Sequence, residues 1–239
     1  MLLFYVRHGD PIYNPDQLTP LGHRQAEAIG RRLARYGVDK IYSSTSIRAQ
    51  ETAQPLCEIL RMEKTLLEWC HESRAYEDIW VEGEDRRPWA IESEPIRRVF
   101  VSEEMRRLGN EWYEHPILAP YRDRMKAGKE RVDRGVDTLL RELGFEHDRA
   151  SGIYKVNNPQ HERVALFAHA GFGRAFLSSV LDWPYPDFAA HVDMAHTGLS
   201  VVEFRPEGDW CIPRMLTYSN DAHLYADDLP TRCNYRVSY

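Results

Sequence analysis

The chain contains short apolar runs that each stop abruptly at charged or titratable residues. The three clearest runs are residues 2–6, 65–69 and 164–168. A short, continuous apolar run bounded by polar residues is typical of a buried strand in a parallel sheet. Ligands of open α/β sheets bind beyond the carboxyl ends of such strands. The pattern therefore predicts a buried sheet with a polar site along one edge.

Segments with helical periodicity alternate with these strands. Thr19 and Pro20 form an N-cap followed by proline at the first helical position, and Gly37 can end that helix. Ser46 predicts the start of a second helix over residues 47–60. Further helices are predicted over 129–143 and 172–181, and further strands over 38–42, 199–204 and 211–218. Alternating strands and helices indicate a three-layer α/β/α fold with a mostly parallel central sheet.

Residues 74–128 interrupt this alternation. Their hydrophobic periodicity is poor, prolines recur, and aromatic residues accumulate. We interpret residues 1–239 as one domain in which 74–128 form an inserted lid or cap, because long insertions in compact domains are usually functional. The alternative is a packing layer or dimer surface, since aromatic side chains usually belong to the core.

Charge and composition exclude several classes of protein. The chain has 31 Lys+Arg and 37 Asp+Glu, a net charge of −6, whereas nucleic-acid-binding proteins carry a basic footprint. No apolar run is long enough for a signal peptide or membrane span. The four cysteines form no CxxC pair, which favours reduced thiols. We therefore expect a cytoplasmic protein that binds neither nucleic acid nor membrane.

Five side chains near the predicted strand ends form one chemical set. Arg7 and His8 follow the first run, Glu72 closely follows the second, and His169 follows the third. Arg48 lies in the first turn of the second predicted helix. Because the ends of parallel strands meet at one sheet edge, we expect these five side chains to converge.

This set fits the chemistry of a phosphoryl group. Two guanidinium groups bind phosphate oxygens bidentately, and a neutral imidazole can attack phosphorus and carry the phosphoryl group covalently. Helix starts after Ser46 and Ala170 add N–H donors. Glu72, enclosed by protein, can protonate the leaving oxygen and then accept a proton from water. The chemistry requires no metal or cofactor, and the histidines lack the HxH or HExxH spacing of metal sites.

Several short motifs occur in a fixed order. They are Arg7-His8-Gly9, residues 18–22 (LTPLG), residues 43–53 (SSTSIRAQETA), Glu72, His169-Ala170-Gly171 and residues 220–224 (NDAHL). In this order and spacing they resemble the histidine phosphatase superfamily, also called phosphoglycerate mutase-like. The likeness covers residues 1–73 and 129–225.

The resemblance implies a role for each matching residue. His8 is the phosphorylated nucleophile, and Arg7, Arg48 and His169 hold the phosphoryl group. Glu72 is the proton donor. Asn14 falls near the phosphate, and Ala170 belongs to the phosphate- and substrate-binding set. The implied activity is metal-independent hydrolysis of a small phosphorylated metabolite. Separately from the resemblance, we expect that the chain can form a homodimer.

Some alternatives remain open at this stage. Glu68 competes with Glu72 for the acid role, because a different strand register brings it to the pocket. His196 and His223 are more often structural histidines than substrate ligands. Pro11, Ala170 and His196 depart from the family pattern without removing a catalytic group. The alternative functions are a phosphoglycerate mutase-type phosphomutase and, less favoured, a non-catalytic phosphate-binding regulatory module.

Overall fold

A six-stranded sheet forms the centre of the computed structural model, which describes residues 1–159 and 161–233. In chain order the strands are β1 (Leu2–Arg7), β2 (Pro11–Tyr13), β3 (Asp16–Leu18), β4 (Lys40–Ser44), β5 (Lys64–Leu67), β6 (Phe145–Asp148), β7 (Ile153–Val156), β8 (Arg163–Ala168), β9 (Leu199–Glu203), β10 (Trp210–Cys211) and β11 (Arg214–Asn220). The α-helices are α1 (Pro20–Tyr36), α2 (Ile47–Leu60), α3 (Glu72–Ile79), α4 (Glu94–Phe100), α5 (Glu103–Leu108), α6 (Arg122–Glu142), α7 (Ala170–Leu181), α8 (Tyr185–His191) and α9 (Ala222–Ala226).

The central sheet is mostly parallel, as predicted. Its spatial order is β11-β9-β1-β8-β4-β5. Strands β1, β8, β4 and β5 are parallel, β9 is antiparallel to β1, and β11 is antiparallel to β9. Two small sheets lie outside it, the hairpin β2–β3 and the group β10-β7-β6.

Side chains alternate between two cores on the opposite faces of β1. Leu3 and Tyr5 pack into the larger core, which includes residues of α6 and α7. Phe4 and Val6 pack into the smaller core with residues of α1 and α2. This alternation follows from the two-residue period of a strand, and it produces the predicted α/β/α layers.

The parallel register aligns the ends of three neighbouring strands. Arg7 lies opposite Ala168 in the β1–β8 pair, and Ser43 lies opposite Phe167 in the β4–β8 pair. Residues that end or follow these strands therefore emerge at one edge of the sheet.

The first two helices begin at the predicted caps. The Thr19 side chain accepts a hydrogen bond from the Gly22 N–H, and the Ser46 side chain accepts one from the Ala49 N–H. Helix α1 ends before Gly37, and α2 has the predicted bounds. Local capping chemistry therefore determines both helix starts.

Several predicted boundaries were wrong. Strand β5 ends at Leu67, because Glu68–Cys70 form a 3₁₀ turn that leads the chain into α3. The helix expected from 129 begins at Arg122, where buried Met125 already belongs to its apolar stripe. The strand expected over 211–218 is divided into β10 and β11 with Pro213 between them, since proline donates no ladder hydrogen bond.

The segment 74–128 consists of short helices and 3₁₀ turns. Its aromatic side chains Phe100, Trp112 and Tyr113 are buried in the same core as α6 and α7. The ring centroid of Phe100 lies 6.3 Å from that of Tyr185 in α8, and the ring centroid of Trp112 lies 5.3 Å from it. The segment is therefore continuous with the main core on this face of the sheet.

The cysteines of the described part of the chain are free thiols. Cys57, Cys70 and Cys211 are buried, and Cys233 is partly exposed. Across residues 1–159 and 161–233, no helix has the length and apolar character needed to cross a membrane.

Candidate active site

The carboxyl edge of the central sheet brings the five predicted side chains together. His8 follows β1 and His169 follows β8, and their ring centroids are 5.3 Å apart. Arg48, from the first turn of α2, places its Nη2 3.1 Å from Nδ1 of His169. Glu72 begins α3 and reaches the start of α7. The predicted convergence is therefore present in the structure.

His8 is a buried side chain that is held as a neutral imidazole. Its Nδ1 donates to the Gly9 carbonyl at 2.7 Å, so the proton of the neutral ring resides on Nδ1. Burial lowers the pKa of His8 well below its usual value, and the positive charge of Arg7 lowers it further. Nε2 is therefore unprotonated at neutral pH, as a nucleophile requires.

Arg7 supplies a buried positive charge beside His8. Its side chain is almost fully buried, and Nη1 donates to the Met194 carbonyl. Burial lowers the pKa of Arg7, yet a guanidinium stays protonated in proteins. A fixed cation in a site of low dielectric strongly favours binding of an anion.

Arg48 lies at the centre of a hydrogen-bonded chain. Its Nη1 donates to Asp16 Oδ1 at 2.7 Å, and its Nη2 donates to Nδ1 of His169. His169 in turn donates from Nε2 to Ser44 Oγ at 2.8 Å. Within the described residues, the buried Nε of Arg48 has no hydrogen-bond partner. Arg48 is thus fixed by contacts of both of its terminal nitrogens, Nη1 and Nη2.

His169 is a neutral ring whose two nitrogens are both engaged. Burial lowers its pKa well below the usual value, and Arg48 lowers it further. Since a guanidinium only donates, Nδ1 must be the acceptor and Nε2 must carry the proton. Nε2 also lies 3.3 Å from Ser46 Oγ. A phosphoryl oxygen that takes a hydrogen bond from His169 has to replace one of these contacts.

Glu72 caps the first turn of α7. Its Oε1 accepts from the Gly171 N–H at 3.0 Å, and its Oε2 accepts from the Phe172 N–H at 2.8 Å. Burial raises the pKa of Glu72, and these hydrogen bonds partly oppose the increase. Glu68, in contrast, is exposed and forms an ion pair with Arg74. The structure thus places Glu72, not Glu68, next to the α7 turn that follows His169.

The close approach of Glu72 and an indole depends on a glycine. A Cβ atom at Gly171 would lie 2.4 Å from the Trp89 ring and 2.8 Å from Glu72 Oε1. Real Cβ contacts are essentially never shorter than 3.0 Å. Gly171 therefore lets Trp89, from the segment 74–128, pack against the start of α7 beside the carboxylate.

A cleft of about 440 Å³ adjoins Glu72. Segment 74–128 contributes Trp89, Ile91, Glu92 and Arg97, the start of α7 contributes Ala170, Gly171 and Arg174, and α8 with the following residues contributes 189–193. Arg174 pairs with Asp193 at 3.0 Å. The cleft combines an indole, small apolar side chains and charged groups, which suits the non-phosphate part of a substrate.

The remaining predicted residues lie in different surroundings. Ala170 is buried and is the first residue of α7, where it lines the cleft. Asn14 is exposed in the turn between β2 and β3. His196 is buried against His8, with ring centroids 5.9 Å apart and its Nδ1 3.3 Å from Asp10 Oδ1.

His223 belongs to α9, which follows the end of β11. It contacts Thr197 Oγ1 at 2.9 Å and Arg32 at 3.4 Å. Burial is the main cause that lowers the pKa of His223 to about 4. These contacts give it the surroundings of a structural histidine.

Sequence reasoning missed three residues of this region. Asp16 contacts Arg48, while Trp89 and Arg97 line the cleft. Asp16 lies only two positions after Asn14, which was predicted to lie near the phosphate. This short separation was the signal that could have pointed to Asp16. Trp89 and Arg97 lie where no periodic pattern locates a side chain relative to the sheet.

An α/β fold with two histidines and two arginines at one sheet edge defines a class of phosphoryl-binding proteins. The family model of the histidine phosphatase superfamily (branch 1) matches residues 3–215. The chain belongs to this superfamily.

Two curated relatives illustrate the range of similarity. A putative phosphoserine phosphatase 2 of Hydrogenobacter thermophilus is 25% identical over 178 residues, which cover 71% of this chain and 79% of that protein. The mitochondrial serine/threonine-protein phosphatase Pgam5 of Drosophila yakuba is 39% identical over 69 residues. That match covers 26% of this chain and spans only 24% of the length of Pgam5.

Solved structures share the fold at low identity. The phosphoserine phosphatase of Entamoeba histolytica, in complex with 3-phosphoglyceric acid, has a TM-score of 0.58 at 18% identity, covering 93% of this chain and 98% of that one. A mycobacterial glucosyl-3-phosphoglycerate phosphatase also has a TM-score of 0.58, at 17% identity, covering 90% and 97%. These likenesses show the common fold.

Proposed function

We propose that this protein is a phosphatase that hydrolyses a small phosphomonoester through a phosphohistidine on His8. The observation that carries the proposal is the neutral, buried His8 ring, whose Nδ1 is fixed on the Gly9 carbonyl while Arg7 and Arg48 lie beside it. Such a ring directs its Nε2 lone pair into a cationic site, which is the arrangement that attack on phosphorus needs.

In the first half-reaction, Nε2 of His8 forms a bond to phosphorus as the bond to the ester oxygen breaks. The leaving oxygen takes a proton from Glu72, whose pKa is raised by burial. In the second half-reaction, water attacks the phosphorus and transfers a proton to Glu72, and the P–N bond to His8 breaks. Phosphate leaves, and both side chains regain their initial states.

Arg7 and Arg48 supply the positive charge that a metal ion provides in other phosphatases. Their guanidinium groups balance the charge on the phosphoryl oxygens during transfer. His169 changes its role when the anion binds, because a phosphoryl oxygen displaces the Arg48–His169 contact. A proton taken up at Nδ1 then makes His169 a donor to that oxygen. We accordingly propose metal-independent catalysis.

The leaving group occupies the cleft beside Glu72. Among the described residues, Arg97 is an exposed cation of this cleft without an ion pair, whereas Arg174 is paired with Asp193. Two of the relatives are named as phosphatases of phosphoserine and of glucosyl-3-phosphoglycerate, and both of these substrates carry a carboxylate. Together these observations support a substrate with a carboxylate next to the phosphoester.

Replacement of His8 tests the proposal. The His8→Ala variant loses turnover of p-nitrophenyl phosphate by about a thousandfold or more, because the covalent route is closed. Its circular dichroism and thermal unfolding stay close to those of the native protein. A near-native rate in this variant would refute the covalent route.

Product analysis separates hydrolysis from transfer to a second hydroxyl. Incubation with 3-phosphoglycerate should release inorganic phosphate in the presence of a chelator, without accumulation of an isomer. Isomerised phosphoester in place of phosphate would assign a phosphomutase. Binding of phosphate without any turnover would assign a regulatory module.

A further inference from the structure

We propose that Asp16 is a positioning residue for phosphoryl transfer, because it fixes the direction of Arg48. In the free protein it also sets, through Arg48, the location of the proton on His169. The inference rests on the proposed function and adds a residue outside the strand-end set. Asp16 reaches the site from the hairpin β2–β3, whose last pair before the turn is Tyr13 and Asp16.

Both oxygens of the Asp16 carboxylate are used at the start of α2. Oδ1 accepts from Arg48 Nη1 at 2.7 Å, and Oδ2 accepts from the Ile47 N–H at 2.8 Å. A carboxylate with two different donors cannot rotate without losing one of them. The pair is also sheltered, since 9% of the Arg48 side chain and 29% of the Asp16 side chain are exposed. Asp16 therefore defines the direction of the guanidinium.

The hairpin that carries Asp16 is itself attached to α2. The Leu18 N–H donates to Glu51 Oε2 at 2.7 Å. The Tyr13 ring lies beside the Arg48 guanidinium, with 5.4 Å between Cζ and the ring centroid. Hairpin and helix thus hold Arg48 from two sides.

The orientation of Arg48 determines the tautomer of His169. Nη2 of Arg48 donates to Nδ1 of His169, so the ring proton occupies Nε2 and is donated to Ser44. A guanidinium rotated away from Asp16 would release Nδ1 and leave the proton free to occupy either nitrogen. Asp16 is therefore the first member of a chain that ends at Ser44.

The charge of Asp16 cannot explain its location, since a negative charge next to Arg48 repels a phosphate dianion. If attraction of the anion were the only requirement, the site would be better without this carboxylate. Its benefit is the geometry of Arg48, and in enzymes a displacement of about 1 Å at a reacting group costs about a hundredfold in rate. When Asp16 is replaced, loss of the Arg48 orientation should weaken binding of the anion, whereas loss of the negative charge should strengthen it.

The experiment compares Asp16→Asn and Asp16→Ala with Asp39→Asn as a matched control. The amide introduced by Asp16→Asn presents one acceptor oxygen, so this variant loses one of the two contacts. Asp39 uses a single oxygen to accept from the N–H groups of Glu162 and Arg163, at the opposite end of the sheet. Its replacement removes a carboxylate charge without touching the site.

We expect Asp16→Asn to lower kcat/KM for p-nitrophenyl phosphate about tenfold and Asp16→Ala about a hundredfold, with Asp39→Asn within about twofold. Both Asp16 variants bind orthovanadate more weakly. In ¹⁵N NMR spectra, His169 changes from the Nε2–H tautomer to a mixture of both tautomers. A purely structural role would leave this signature unchanged at temperatures where the variants are folded.

Two results would overturn the proposal. One is tighter vanadate binding by Asp16→Asn, which would show that charge outweighs orientation. The other is an unchanged His169 tautomer in both Asp16 variants. Vanadate affinity and NMR need no turnover, so they remain informative even if His8→Ala refutes the phosphohistidine route.

Discussion

The two halves of the candidate site are built in different ways. The proposed phosphoryl pocket consists of side chains at the ends of β1 and β8 and the start of α2, and its cations Arg7 and Arg48 are buried. The adjoining cleft is lined largely by short helices and 3₁₀ turns, and Arg97 is exposed there. Rigid strand ends suit chemistry that is common to many substrates, whereas irregular segments accommodate differences between leaving groups. Glu72 lies at the boundary and belongs to both halves.

The largest difference in kcat between two substrates is expected when Glu72, at this boundary, is replaced. Glu72→Gln cannot protonate the leaving oxygen, so we expect kcat for an alkyl phosphate to fall about 10²- to 10⁴-fold. For an aryl phosphate, whose leaving group needs little protonation, the decrease should be much smaller. Steady-state kinetics with phosphoserine and p-nitrophenyl phosphate measures the difference.

A matched control for this experiment is Glu68→Gln, a change at an exposed ion pair. It should leave both rates unchanged. Equal decreases in kcat for the two substrates in Glu72→Gln would show that Glu72 is not the proton donor. Its role would then be to shape the site.

A second prediction concerns the pH dependence of anion binding in the pocket. The pKa of His169 is lowered by burial, then by Arg48, His71 and Arg7, so the free protein holds this ring neutral. A bound dianion opposes these effects and raises that pKa, so binding takes up a proton. Sulfate affinity should therefore increase as pH falls, by up to about tenfold per unit, once the pH is below the pKa of His169 in the complex.

Calorimetry in buffers of different ionisation enthalpy measures this proton uptake directly. Sulfate is a suitable probe because it remains a dianion throughout the range. Uptake should disappear in His169→Gln and persist in His8→Gln. The reverse pattern would assign the proton to His8, and the pocket would then bind anions with a neutral His169.

The smallest expected effect belongs to the cleft. Arg97→Gln should raise KM for 3-phosphoglycerate about two- to fivefold, because an exposed charge pair contributes up to about 1 kcal/mol. Glycerol 3-phosphate, which lacks the carboxylate, should be unaffected. Arg98→Gln is the control, since Arg98 pairs with Glu94 on the same helix. A similar rise for both substrates would show that Arg97 does not recognise a carboxylate.

The contrast between pocket and cleft also explains how far the sequence could predict the structure. Apolar runs located β1 and β8, and the Thr19 and Ser46 caps located two helix starts, because these signals are local. Parallel strands end at one edge, so the convergence of His8 and His169 followed from topology. The contact of Asp16 with Arg48 depends on how a hairpin folds onto α2, which periodicity does not report.

The same limit applies to the segment 74–128. Trp89 reaches Gly171 through packing that only the folded chain defines. The early start of α6 was missed because residues 122–128 are mostly polar, although Met125 extends the buried stripe. Tertiary contacts outweigh local preferences in these places.

The hydrogen bonds of Glu72 to the first turn of α7 couple the position of Glu72 to that of His169. The same turn follows His169 directly, so a sideways shift of α7 displaces the proposed acid and the proposed anion-binding ring together. Mutants selected for bulkier leaving groups must enlarge the cleft without moving that helix. Room for change is therefore greatest on the walls made by Trp89 and α8, which carry none of the reacting atoms.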